Sequence, residues 1–215
     1  MKRRLPDLPD GKRSKTKIGT NRSILAMLTV CMALFAGISG MSMMNRPVLA
    51  TDPSGTFAYE PQVKRYAAKY GISEYLPWLM AIIDVESGGS VDDVMQSSES
   101  LGLDPNSLDT AASLDQGCQY FSQLLEKAET LGVDFDSVLQ AYNYGSGYLD
   151  FVAEHGGVNT DELAQEFANI QANGEKTTYL NLVAVKANGG WRYSYGNMFY
   201  VTLVHNAKTE LYGNA

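Results

Sequence analysis

The side chains best placed to do chemistry in this chain gather around one glutamate. In "LMAIIDVESGGSVDDVMQSSES" an apolar run from Leu79 to Ile83 leads into Glu86, and Gly88-Gly89 close the segment. On a helix, Ile83 and Ile82 lie three and four residues before Glu86 and Leu79 seven before, so the carboxyl shares the apolar stripe. Asp84 falls about 160° away, on a more exposed side. Two effects then favour the neutral acid: desolvation by apolar neighbours and the unpaired carbonyls at a helix C-terminus. A carboxylic acid that keeps its proton near neutral pH is what general acid catalysis requires. The competing reading is a glutamate whose stem packs while its head reaches solvent past the helix end.

Cleavage of a glycosidic bond usually calls for a second carboxylate, to activate water or to attack the sugar. Asp92, Asp93 and Glu99 are near in sequence, and Asp93 and Glu99 are the candidates carried forward. All three sit in or beside a polar loop, and a solvated surface is the ordinary explanation for any single one of them, ahead of catalysis. Sequence spacing does not give the distance between carboxyl groups, which is what separates the mechanisms. His155 and His205 are the only histidines, and neither lies in a ligand-spaced motif. The glycine pairs lack the strand–loop–helix context of a nucleotide loop. The expectation is therefore no metal and no cofactor.

The elements that must position these groups read as helical. "EPQVKRYAAKYG" has Pro61 at a first helical position and Gly71 as a stop. Ser73 or the turn before Pro77 opens the next helix, which ends at Gly88. "SSESLGLDPNS" is a polar loop. Asp109 caps a long helix with Leu114, Cys118, Phe121, Leu125 and Ala128 at spacings of three and four, ending at Gly132. Asp136 is the expected cap of "SVLQAYNYG", whose inner face holds Phe135, Val138, Leu139 and Tyr142. "GYLDFVAEH" and "TDELAQEFANIQ" form shorter helices, and Asn197 caps "NMFYVTLVHNAKTEL". Residues 177–185, "TTYLNLVAV", have strand-like composition. The fold class is mainly α.

Charge divides the chain. Its net charge is −7, yet residues 1–50 hold nine Lys or Arg against Asp7 and Asp10, which leaves −14 for residues 51–215. A globular part that acidic repels nucleic acid. Residues 1–23 read as a basic cytoplasmic tail. Residues 24–44 are uncharged over 21 positions, about 31 Å as a helix and enough to span a bilayer. The basic lead keeps the amino end inside and exports the remainder. A transmembrane anchor or uncleaved signal is the favoured reading, with cleavage after "VLA" at Ala50 and secretion as the alternative. Residues 45–56 form a linker and residues 57–215 the working domain, outside the cell on the wall side of the cytoplasmic membrane. Cys31 and Cys118 fall in different compartments and do not pair.

The ordered run "ESGG…MQSSESLG…AYNYGSGYLDFV" resembles the goose-type lysozyme and lytic transglycosylase superfamily. It looks similar to the CwlT-type lysozyme-like domains of Gram-positive conjugative elements, over roughly residues 57–212. The resemblance implies a helical lysozyme-like catalytic domain in which Glu86 protonates the glycosidic oxygen and Ser87 supports the site beside it. Gln96 would contact sugar or orient a reacting group, and Tyr142 and Asn143 would line the cleft. Amides offer donors and acceptors to N-acetyl and hydroxyl groups, and tyrosine offers a rigid face with a polar tip. Gly145 and Gly147 would let a turn pass close to a ligand. The partner implied is the peptidoglycan glycan strand, with a conjugation or secretion apparatus as a further partner. Muramidase activity is the first expectation, lytic transglycosylase activity the second, and a non-catalytic wall-binding scaffold the reading from another class. The chain departs from many transglycosylases by having Asp93-Val94 where they have Gly-Leu before Met-Gln, which leaves the loop's shape open. Relatives of this type continue into a cysteine-peptidase domain; none fits before Ala215, so no peptide-cleaving activity is expected.

Overall fold

The structure, a computed structural model, describes residues 53–213. The expected tail and apolar span lie outside the described residues. No helix among those described is long and apolar enough to cross a membrane. Residues 53–56, expected as linker, belong to a short helix α1 (Pro53–Phe57). It is followed by α2 (Glu60–Lys69), a 3₁₀ turn at Ser73–Tyr75, α3 (Leu76–Glu86) and a second 3₁₀ turn at Ser98–Leu101. Then come α4 (Thr110–Leu131), α5 (Phe135–Tyr144), α6 (Gly147–Glu154) and α7 (Asp161–Gln171). The strand β1 (Lys176–Thr178), helix α8 (Leu182–Asn188), strand β2 (Trp191–Tyr193) and α9 (Tyr200–Tyr212) complete the domain. β1 and β2 pair antiparallel, with Lys176 opposite Tyr193 and Thr178 opposite Trp191.

α3 is the axis of the core. Leu79, Met80, Ala81, Ile82 and Ile83 are all fully buried, because α9 packs along one side of the helix while α2 and α1 cover others. Burying each large aliphatic side chain contributes about 1.5–3 kcal/mol. Four of them together outweigh the penalty, on the order of 3 kcal/mol, of desolvating one carboxyl at the helix end. The apolar stripe is thus what makes an awkwardly placed glutamate tolerable.

The local stop and start signals act largely as their chemistry dictates. Asp109 accepts from Ala112 N at 2.8 Å, and α4 ends at Gly132 in the left-handed region. The expected cap at Asp136 is displaced by two residues. Asp134 has the extended backbone of a cap, and its Oδ1 accepts from Ser137 N and, across the fold, from Asn159 N at 2.9 Å. That second bond is the reason Asp134 wins over Asp136. α9 begins at Tyr200, later than expected. Asn197 Oδ1 accepts from Phe199 N and Asn197 O accepts from Tyr200 N, so Asn197 shapes the turn that precedes the helix. Within 177–185, only residues 177 and 178 are strand; Asn181 caps α8 by accepting from Val183 N.

Candidate active site

Glu86 is the last residue of α3 and is half-buried. Burial pushes its carboxyl up to about 7, with the negative charges of Glu99 and Asp93 acting in the same direction. One interaction opposes them: Tyr200 Oη donates to Glu86 Oε1 at 2.6 Å. Tyr200 is fully buried, so this bond fixes the carboxyl's orientation rather than following it. With Oε1 held as an acceptor, Oε2 is the oxygen left to carry the proton. The arrangement supplies an acid poised near neutral pH and a donor that stabilises its conjugate base.

Ser87 closes the helix from beneath. Its hydroxyl donates to Val94 O at 2.8 Å and accepts from Gly89 N at 3.0 Å, and the residue is buried. It ties the end of α3 to the segment carrying Met95 and Gln96. Met95 is fully buried and lies where a Cβ on Gly117 of α4 would come within 2.5 Å of its sulfur; only glycine leaves room for it. Its carbonyl accepts from Tyr142 Oη at 3.0 Å, which joins α5 to the same segment.

Gln96 adopts φ +47°, a conformation uncommon outside glycine and often found at functional sites. Its side-chain amide donates to Asp93 O at 2.8 Å and to Asn106 Oδ1 at 2.7 Å. Asn143 Oδ1 accepts from Asn197 N at 2.6 Å, which draws residues 195–197 onto the end of α5. Gly196 allows that approach. It has φ +45°, and a Cβ there would meet the Tyr144 ring at 2.5 Å and Asn143 Oδ1 at 2.8 Å. Gly145 is the C-cap residue of α5 and Gly147 opens α6, with nothing within 4 Å of a Cβ at either.

The two candidate second carboxylates differ in kind. Asp93 is fully buried, with Oδ1 accepting from Ser97 N and from Ser113 Oγ at 2.6 Å, and Oδ2 accepting from Ser98 N. It organises the 93–98 turn. Glu99 keeps partial exposure; burial, then the charge of Asp93, raises its pKa. Asp92 is exposed. Tyr200 and Tyr179 escaped the sequence reading, which took Asn197 only as a helix cap. Asn197 Nδ2 donates to Tyr179 Oη at 3.1 Å, and the charge of Glu86 reaches Tyr179. Tyr200 is 114 residues from Glu86, and no spacing rule links positions so far apart.

A family model described as lysozyme-like matches residues 54–208. The chain belongs to the lysozyme-like family. Among its relatives, YocA of Bacillus subtilis (strain 168), named an uncharacterized membrane protein, is 38% identical over 147 residues, covering 68% of this chain and 65% of YocA. CwlT of the same organism, named a bifunctional muramidase/DL-endopeptidase, is 37% identical over 154 residues, covering 68% of this chain and 41% of CwlT. A Staphylococcus aureus crystal structure, described as similar to a lipoprotein of the NLP/P60 family, has 52% identity and a TM-score of 0.72. It covers 73% of this chain and 53% of that one. The chain therefore spans less than two thirds of the length of each of these relatives. The resemblance read from the Glu86, Gln96 and Tyr142 segments is to this lysozyme-like family.

Proposed function

We propose that the lysozyme-like domain is a peptidoglycan muramidase, cleaving the β-1,4 bond between N-acetylmuramic acid and N-acetylglucosamine. The observation that carries this reading is the Glu86 carboxyl, raised to about 7 by burial and gripped on one oxygen by Tyr200. Glu86 Oε2 gives its proton to the glycosidic oxygen as the bond to the muramic C1 breaks, and a water molecule adds to C1, its released proton restoring the acid. Tyr200 then stabilises the carboxylate left behind. Gln96, Tyr142 and Asn143 shape the surrounding walls, and Ser87 braces the helix end from below. A relative named muramidase supports the reaction class. A relative named membrane protein, together with the basic lead and apolar stretch of residues 1–44, supports a domain tethered on the wall side of the membrane, where it opens the wall locally for conjugation or secretion.

Lytic transglycosylation is the second reading, and one observation favours it. Asp93 is occupied by three internal donors, which leaves Glu99 as the carboxylate able to activate water. A reaction that needs no second carboxylate suits that arrangement: the muramic 6-hydroxyl attacks C1, gives its proton to the Glu86 carboxylate and closes an anhydro ring. Mass spectrometry of digested walls separates the two. Reducing muramic ends are the expected product, and 1,6-anhydro ends would replace the first reading with the second.

A further inference from the structure

Between the second 3₁₀ turn and α4 runs a loop, residues 103–109, whose tip reaches back to Gln96. Leu103 N donates to Ser98 O at 3.2 Å at one end, and Asp109 caps α4 at the other. Pro105 and Asn106 form the turn at the tip, with Asn106 at φ +57°. Proline followed by a residue of positive φ is the pattern of a type II turn, and asparagine enters that conformation more readily than most residues. Asn106 is exposed, and its Oδ1 accepts from Gln96 Nε2 at 2.7 Å.

We infer that Asn106 is a positioning residue: it fixes the Gln96 amide so that Oε1 accepts a hydrogen bond from an O–H or N–H of the glycan. The inference deepens the wall-glycan reading and rests on it for the identity of the ligand.

The orientation of both amides follows from one backbone carbonyl. Asp93 O is an acceptor only, so the end of the Gln96 amide that lies 2.8 Å from it is the nitrogen. That nitrogen also reaches Asn106, so the Asn106 atom facing it is the oxygen. Gln96 thus commits both hydrogens of its Nε2, and the function it has left is the acceptor Oε1. One bond alone would let the planar amide turn about its N–H···O axis. The second, to Asn106, sets the plane and with it the direction in which Oε1 faces. Gln96 keeps partial exposure, so a sugar can reach that oxygen.

The backbone beneath is pinned without help from Asn106. Gln96 N donates to Asp93 O at 3.0 Å, Met95 N donates to Ser113 Oγ at 3.0 Å, and Ser97 N donates to Asp93 Oδ1 at 2.9 Å. What Asn106 adds is therefore control of a side chain with three torsions of its own. The turn lies beside the acid: Ser87 Oγ donates to Val94 O, and the charges of Glu99 and Asp93 reach Glu86. An acceptor fixed here registers the sugar against the Glu86 proton, and small displacements of a bound substrate cost much of a rate.

The test is the affinity of the full chain for soluble, uncross-linked glycan strands of peptidoglycan, measured by titration calorimetry in a Glu86→Gln background. Asn106→Gly removes the side chain and suits the positive φ, so thermal unfolding should be unchanged while binding weakens about tenfold. Asn106→Asp keeps an oxygen in place, and a charged acceptor strengthens the bond, so its affinity should stay within about twofold of the background's. Once Gln96→Gly has removed the positioned group, Asn106→Gly should change the affinity by less than about twofold. Full affinity in Asn106→Gly, or Asn106→Asp binding as weakly as Asn106→Gly, would overturn the inference. So would an undiminished effect without Gln96, or no strand binding by the background. Cleavage by the parent is scored separately. Strands bound in the expected order but left uncut would sink the glycosidase reading alone; strands cut, with all these affinities equal, would sink this inference alone.

Discussion

Glu86 links activity to stability, and replacing it with glutamine exposes that link. In the folded protein its carboxyl titrates near 7, against 4.5 for the unperturbed group. Because the folded state holds this proton more tightly, its contribution to stability is complete below about pH 4.5 and is lost as pH rises through 7. At 1.36 kcal/mol per pH unit, the loss is about 3 kcal/mol. Glu86→Gln has no proton to lose there and keeps the hydroxyl of Tyr200 beside an amide oxygen. Denaturant unfolding of the parent and the variant at pH 4 and pH 8 measures the effect. The variant should gain about 3 kcal/mol over the parent between the two pH values, or roughly 6–12 °C in Tm for a chain of this size. Comparing the change between two pH values cancels whatever the substitution does at both. If parent and variant fall in parallel, the carboxyl is solvated and the argument for a poised acid is wrong.

Other substitutions test the remaining parts of the site. Tyr200→Phe removes a hydrogen bond to the carboxylate worth about 1.5–3 kcal/mol. The alkaline limb of wall clearing should therefore move up by about one to two pH units while the plateau rate falls; a pH–rate profile in the parent's position would refute the pairing. Asp93→Asn disrupts a buried acceptor of three donors and should lower stability by about 2–4 kcal/mol in denaturant titrations, whereas an unaffected fold would reopen Asp93 as a reacting group. Gly196→Ala places a methyl group against the Tyr144 ring in a left-handed backbone and should destabilise by more than about 1 kcal/mol, with unchanged thermal unfolding as the contrary result.

What the sequence made legible was local. Asp109 and Gly132 bound α4 because a cap and a left-handed stop depend on neighbours within a turn. Glu86 stood out because three aliphatic side chains, Leu79, Ile82 and Ile83, precede it at helical spacing. The misplaced cap at Asp136 has a non-local cause, since both aspartates suit the role and only the distant Asn159 N favours Asp134. The strand-like composition of 177–185 was overridden by Asn181, which caps a helix. The partner of Glu86 was hidden for the same reason: Tyr200 reaches it because α9 packs on α3, a tertiary fact with no periodic signature. Asp93 and Glu99 looked alike in the loop and were separated only by three internal donors on one of them.

The most direct measurement is the release of soluble glycan fragments from purified peptidoglycan by the parent and by Glu86→Gln, with circular dichroism confirming that both are folded. Loss of a general acid lowers the rate by about 10²–10⁴-fold, and a drop of that size is the expected result. Release at the parent's rate by the folded variant would contradict the assignment of Glu86 as the proton donor.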